Sequence, residues 1–267
     1  MLSNFAQVVN ADSSGEIMIE VSGSDVSIAA VAIREIPQDI FVDGGGNLVL
    51  SDADGRDDDW TIAVDGTNYR ITNPSGPLMV GSGVTPDGPN DFLVSIASVT
   101  GEVRVDGEGG DDSLTVDFTS GSPVTAGGLR FDGGMQGAGV GDSLSIIGSF
   151  TNQTLNYEPP GADGNNGNLD LDGSLITYTG LEPINAGNSV NTILNLPVGF
   201  ANDATLQNSA VAGEIEIIDN GATFEDTVIP NPTGSLTVNL GDAGDQLQVN
   251  SLDDAFAASL ILSLIHI

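Results

Sequence analysis

Short runs of alternating apolar and polar residues, each closed by Gly, Asp, Asn or Pro, follow one another along this 267-residue chain. Leu114-Thr115-Val116, Leu144-Ser145-Ile146, Ile215-Glu216-Ile217 and Leu247-Gln248-Val249 are examples, and no segment holds a 3.6-residue apolar period. Period-two alternation buries one face of a strand, while Gly, Asn and Asp reach the dihedrals that reverse the chain. The pattern predicts an all-β fold. One hairpin is explicit. Thr61-Ile62-Ala63-Val64 and Asn68-Tyr69-Arg70-Ile71 flank Asp65-Gly66, a dipeptide suited to a type I′ turn.

From about residue 96 the runs fall into a repeated unit of strand, Gly/Asp turn and strand. Val103-Arg104-Val105-Asp106-Gly107 leads to Gly110-Asp111-Asp112-Ser113-Leu114, and Leu129-Arg130-Phe131-Asp132-Gly133 leads to Gly141-Asp142-Ser143-Leu144. Val238-Asn239-Leu240-Gly241 leads to Gly244-Asp245-Gln246-Leu247. Arg104 and Arg130 hold equivalent positions, as do Leu114 and Leu144. A spacing of about 26–30 residues lies in the range of stacked repeats, in which each unit buries its apolar face against the next. The expected architecture is a parallel β-solenoid (β-helix-like) over residues 96–261. A hairpin-rich β region is expected over residues 1–95, with Pro74, Pro77, Pro86 and Pro89 punctuating the join. β-Sandwich repeats are the alternative, because their strands alternate in the same way.

Charge narrows the function. The chain holds 38 acidic residues against five basic ones, a formal net charge of −33, and all five basic residues are arginine. Such a chain is not expected to grip nucleic acid, which takes Lys and Arg. No apolar run is long enough for a membrane-spanning helix. There is no cysteine, so disulfides and thiolate metal sites are impossible. A single histidine gives no basis for a histidine-rich zinc site.

The Gly/Asp turns resemble a degenerate haemolysin-type (RTX) calcium-binding repeat, Gly-Gly-x-Gly-x-Asp-x-Leu-x. Gly107, Gly110, Asp112 and Leu114 match it, with Glu108 at the second Gly. Gly241, Asp245 and Leu247 match in a second copy, and Asp142 and Leu144 in a third. RTX copies follow one another in tandem, whereas these are single and widely spaced. More broadly, these phrases resemble very large repeat-built secreted or surface proteins of environmental bacteria. The resemblance implies Ca2+, a hard cation that takes six to eight oxygens. Asp106, Glu108, Asp111 and Asp112, stacked beside Asp132 and Asp142, are the expected ligands. Solvated acidic turns are the alternative. Asp52, Asp54, Asp57, Asp58 and Asp59 form a second acidic cluster, out of register for a calcium loop and read as a solvated loop. A third turn, residues 163–170, is Asn-rich.

Residues 262–267, Leu-Ser-Leu-Ile-His-Ile, back-translate to a transposase end used in sequencing libraries. They are expected to be adapter-encoded, His266 included, and the chain to be part of a longer one. The expected function is non-enzymatic: a structural or adhesion repeat segment of a large secreted or cell-surface bacterial protein, stabilised by calcium. Its expected place is extracellular or on the cell surface. Its expected partners are neighbouring repeats of the same longer chain and extracellular polysaccharide or cell-surface components, with no nucleic acid and no membrane insertion. The alternative is a carbohydrate-active β-helix, either a polysaccharide lyase or a sugar-binding module. That reading requires Arg104, Arg130 and Trp60 in one cleft with carboxylates, with Tyr69 nearby to stack on sugar.

Overall fold

A computed structural model describes residues 38–51, 55–136, 139, 141–241 and 244–264. Asp52, Asp54 and His266 lie outside them. The described residues are all-β: they hold no α-helix, and only one 3-10 turn, Ile96–Ser98. The strands form two large mixed sheets, neither closed.

The first strands are β1 (Ile40–Val42), β2 (Leu48–Ser51), β3 (Asp59–Asp65), β4 (Asn68–Thr72), β5 (Val84–Gly88) and β6 (Asp91–Ser95). β3, β4, β6 and β5 pair antiparallel in that order, and Pro86 sits in the edge strand β5, where a missing N–H breaks no ladder. The β3–β4 hairpin forms, but its register pairs Asp65 with Asn68. The loop residues are therefore Gly66 and Thr67, and Gly66 takes φ +60°. That is the Gly-first pattern of a II′ turn rather than the expected I′ turn on Asp65-Gly66.

Next come β7 (Val103–Asp106), β8 (Gly109–Gly110), β9 (Ser113–Asp117), β10 (Leu129–Asp132), β11 (Met135–Gln136) and β12 (Ser143–Ile147). All their lateral pairings are parallel, and they keep the register of the repeat. Arg130 lies opposite Arg104, Asp132 opposite Asp106, and Leu144 opposite Leu114. The same ladders run across residue 95 without a break, since β2 pairs with β7 and β3 with β9.

The chain then departs from simple stacking in β13 (Ser149–Glu158), β14 (Asn165–Leu171), β15 (Ser174–Leu181) and β16 (Ile184–Asn185). β15, not β13, lies against β10, and β13–β14–β15 is an antiparallel meander within the first sheet. Asp172-Gly173 closes β14 onto β15, with φ +50° and +92° at its two loop residues. Two adjacent positive φ values are what a type I′ hairpin demands. The last strands are β17 (Asn188–Asn195), β18 (Asp203–Asn208), β19 (Glu214–Asp219), β20 (Thr227–Pro230), β21 (Ser235–Leu240), β22 (Gln246–Val249) and β23 (Ser259–Leu264). β17 pairs with β13 and β21, and β21 with β23, all parallel. β18–β19–β20 is a second antiparallel meander, in the other sheet. Residues 262–264 therefore belong to a strand, continuing the ladder of β21.

Buried side chains alternate along nearly every strand, and those of the two sheets make one continuous core with Trp60, Phe131 and Tyr178 among its largest members. Tyr178 brings an anomaly. Its hydroxyl is buried and has no hydrogen-bond partner among the described residues, and burial raises its pKa well above the ordinary tyrosine value. Burying a hydroxyl without a partner costs about 1–3 kcal/mol. Tyr178→Phe is therefore expected to leave stability unchanged or raise it by about 1 kcal/mol in urea unfolding. A loss of more than 1 kcal/mol would show that the hydroxyl is satisfied.

Candidate functional site

The acidic residues singled out in the sequence divide into two groups. The first faces outward at the ends of β7 and β10. Parallel pairing sets Arg104 beside Arg130 and Asp106 beside Asp132. Arg130 Nη2 bonds Asp106 Oδ1 at 2.7 Å and its Nη1 bonds Asp132 Oδ2 at 3.1 Å, while Arg104 Nη2 bonds Glu102 Oε1 at 2.7 Å. Asp106, Glu108, Arg130, Asp132, Met135 and Asp163 line a cleft of about 450 Å³. Glu108, at the second-Gly position of the repeat, takes the left-handed φ of +65°. Partial burial raises the Asp106 pKa against the pull of Arg130 and Arg104.

The second group is a buried column across three repeats: Asp58, Asp112 and Asp142. Two of the three carboxylates cap the backbone of a neighbour, while Asp58 Oδ1 lies 3.5 Å from Arg56 Nη2. Asp112 Oδ1 accepts the Asp58 N–H at 2.7 Å, and Asp142 Oδ1 accepts the Asp112 N–H at 2.6 Å. Burial pushes the Asp142 pKa up to about 6. Asp111 stands beside the column, its N–H donating to Asp57 Oδ1 at 3.0 Å. Asp58, read from sequence as part of a solvated loop, is 2% exposed. The reason is its register with Asp112, which a count of local charge does not reveal.

The six expected calcium ligands are thus not gathered into one cage. In the cleft the Arg130 guanidinium bridges Asp106 and Asp132. In the column one oxygen of Asp112 and one of Asp142 accept backbone N–H groups. Among the described residues no three acidic side chains converge in a metal-binding arrangement. The lyase constellation is also dispersed. Trp60 is fully buried and Tyr69 is 3% exposed, so neither offers a stacking face. Arg104 and Arg130 lie on the other sheet, each held by carboxylates.

Sequence reasoning missed two features. One is a cavity of about 440 Å³ lined by Asn165, Glu182, Asp219, Phe224, Glu225 and Asp226. Asp219 carboxylate oxygens accept the N–H groups of Gly221 at 2.7 Å and Phe224 at 2.9 Å, closing a tight loop. Beyond that loop Phe224 packs on Tyr157, with ring centroids 5.1 Å apart, and Glu225 is 1% exposed. Burial drives the Glu225 pKa up to about 8, although Asn165 Nδ2 donates to its Oε2 at 2.9 Å. The only sequence signal is the turn-forming Asp219-Asn220-Gly221 just ahead of it.

The other feature is a pair of polar rows on the outer face of β13, β17, β21 and β23. In one row Asn191 Nδ2 donates to Asn152 Oδ1 at 3.2 Å, and Ser235 Oγ donates to Asn191 Oδ1 at 3.0 Å. In the other Asn239 donates to Asn195 at 2.6 Å, Asn195 to Asn156 at 2.6 Å, and Asn156 to Asn168 at 2.8 Å. Register extends the rows to Ser259 and Ser263. Between them runs a row of Thr154, Ile193, Thr237 and Ile261. The signal was the four-residue spacing of Asn152 and Asn156, repeated in Asn191 and Asn195 and in Ser235 and Asn239. It lacks the Gly/Asp turns that drew attention to the other repeats.

The chain matches no protein-family model, and no curated protein or solved structure matches it.

Proposed function

We propose that this chain is a non-enzymatic structural repeat segment of a large secreted or cell-surface bacterial protein, built as an interrupted parallel β-solenoid. One observation carries the reading: its ordered polar side chains bond one repeat to the next rather than converge on a site. The Asp58–Asp112–Asp142 column and the two asparagine rows all run across the strands. Sequence-matched strands lie side by side in parallel, as Arg104 and Arg130 do. A surface charge of one sign keeps such a segment soluble.

Thermal unfolding in EDTA, in calcium and in magnesium at matched ionic strength tests whether ions are part of the scaffold. A cation that binds only the native state raises the midpoint by mass action. With Arg130 bridging Asp106 and Asp132, both cations are expected to raise the midpoint equally, through screening of the net charge. A rise with calcium alone would support Asp106, Glu108, Asp111, Asp112, Asp132 and Asp142 as ligands.

The carbohydrate-active reading has one observation in its favour, the open cavity holding Glu225. A carboxyl that stays protonated near neutral pH can act as a general acid. Release of reducing ends or unsaturated sugars from polysaccharides by the wild-type chain, lost in Glu225→Gln, would replace the scaffold reading with an enzyme.

A further inference from the structure

We infer that the outer face of β13, β17, β21 and β23 is a docking surface for a neutral polysaccharide laid across the strands. This rests on the scaffold reading and adds a partner to it.

Charge is the first argument. The chain carries −33, and outward positions of other described strands show it. The same sheet bears Arg104, Asp106, Arg130 and Asp132 on its other half, while the second sheet presents Asp59, Asp117, Glu214 and Glu216. From Asn152 to Asn156, and over the matching stretches of β17, β21 and β23, the outward positions are by contrast all Asn, Ser, Thr or Ile, with Glu158 at the end of β13 and Asp170 on β14 bordering them. Such a face fits an uncharged, hydrogen-bonding partner, and the surrounding acids repel a polyanion.

Shape and chemistry are the second. A neutral sugar chain presents C–H ring faces flanked by lateral hydroxyls. The middle row offers methyl groups, and an amide or hydroxyl row lies two residues to either side, about 7 Å along each strand. The amide rows are pre-organised. Each ladder bond uses one N–H and one lone pair of an asparagine, and the amide carries two of each, so a donor and an acceptor remain for a ligand. Neighbouring strands repeat the pattern about every 4.8 Å, and four strands span about 14 Å, enough for a few sugar units. Without an exposed aromatic ring each contact is weak. Affinity would then come from many copies in a long chain, as multivalency provides.

The test is co-sedimentation of the full chain with microcrystalline cellulose, chitin and curdlan, with alginate gel as the anionic control. Retention on at least one neutral polymer and none on alginate is expected. Thr237→Asp puts a charge in the middle row and should weaken retention about tenfold or more, since a docked carboxylate would be buried unpaired. Asn195→Asp serves as a second variant should the first not fold. Thr115→Asp, on the other sheet, should retain like wild type. Absence of wild-type retention on all three neutral polymers overturns the inference, as does retention that Thr237→Asp and Asn195→Asp leave unchanged. Self-association blocked by Thr237→Asp without retention would assign the face to a second copy, and ice-crystal shaping without retention would assign it to ordered water. Either would overturn it. None of these failures touches the scaffold reading, which the cation and Glu225→Gln experiments decide.

Discussion

Between pH 8 and pH 5 this chain is expected to grow more stable, opposite in sign to ordinary acid unfolding. The main cause is Glu225, whose pKa rises from 4.5 to about 8 because it is buried in the cavity beside Phe224. A carboxyl whose folded pKa lies above its unfolded value binds more protons in the native state. Its stabilisation is fully present below the unfolded value and is lost as pH climbs through the folded one. The slope approaches about 1.4 kcal/mol per pH unit, so the window from 4.5 to about 8 holds on the order of 5 kcal/mol. Asp142, raised by burial to about 6, acts in the same direction at lower pH, and burial also raises Asp106 and Asp226. Asp43 and Asp253 oppose them. Backbone N–H bonds lower their pKa values, so their contribution disappears only in more acidic solution. Denaturant unfolding from pH 4 to pH 9 should therefore show a maximum near the acidic end. Glu225→Gln should flatten the slope between pH 5 and 8 and be more stable than wild type at pH 8. A wild-type chain less stable at pH 5 than at pH 8, or a slope that Glu225→Gln leaves intact, would refute this account.

The second large effect concerns the glycines ahead of the buried aspartates. A Cβ on Gly133 would lie 2.6 Å from the carbonyl oxygen of Gly180 and 2.5 Å from Asp142 Oδ2. The Gly180 oxygen belongs to the adjacent strand, which cannot retreat while Gly133 N–H bonds Thr179 O at 2.9 Å. Gly107 repeats the arrangement one strand away, where a Cβ would meet Gly133 O and Asp112 Oδ2, both at 2.6 Å. Gly133→Ala is expected to cost about 3 kcal/mol or more, as overpacking against backbone does. Gly173→Ala is the control. Its site is empty within 4 Å but its φ is +92°, so it should cost only about 1 kcal/mol of dihedral strain. If the two variants unfold at the same denaturant concentration, close approach of neighbouring strands is not what these glycines serve.

Those glycines show how much of the molecule was legible beforehand. Val103 to Leu114 and Leu129 to Leu144 announced their alignment, because the same Gly and Asp recur around the same apolar residues, and the strands pair in that register. The β3–β4 hairpin was legible too, displaced by one residue from the expected turn. The reversal at β13–β14–β15 was hidden, since a strand alternates identically whether its neighbour runs parallel or antiparallel. Only Asp172-Gly173 marked it. The site was less readable than the fold. An acidic residue in a Gly-rich turn reads as solvated, and Asp58, Asp112, Asp142 and Glu225 are buried for reasons lying 30 or more residues away or in a loop closed by another side chain.

The two meanders have a mechanical consequence. In each large sheet the chain steps ahead, turns back twice, and only then moves on, from β13 to β15 in one sheet and from β18 to β20 in the other. A plain stack under tension can peel from one end, each coil releasing before the next is loaded. Here the chain is stitched back over itself in both sheets, so a pull on the two ends loads the seam as a whole. A tether made of such segments would resist as a bolt rather than a zipper, holding its length until the seam gives way at once.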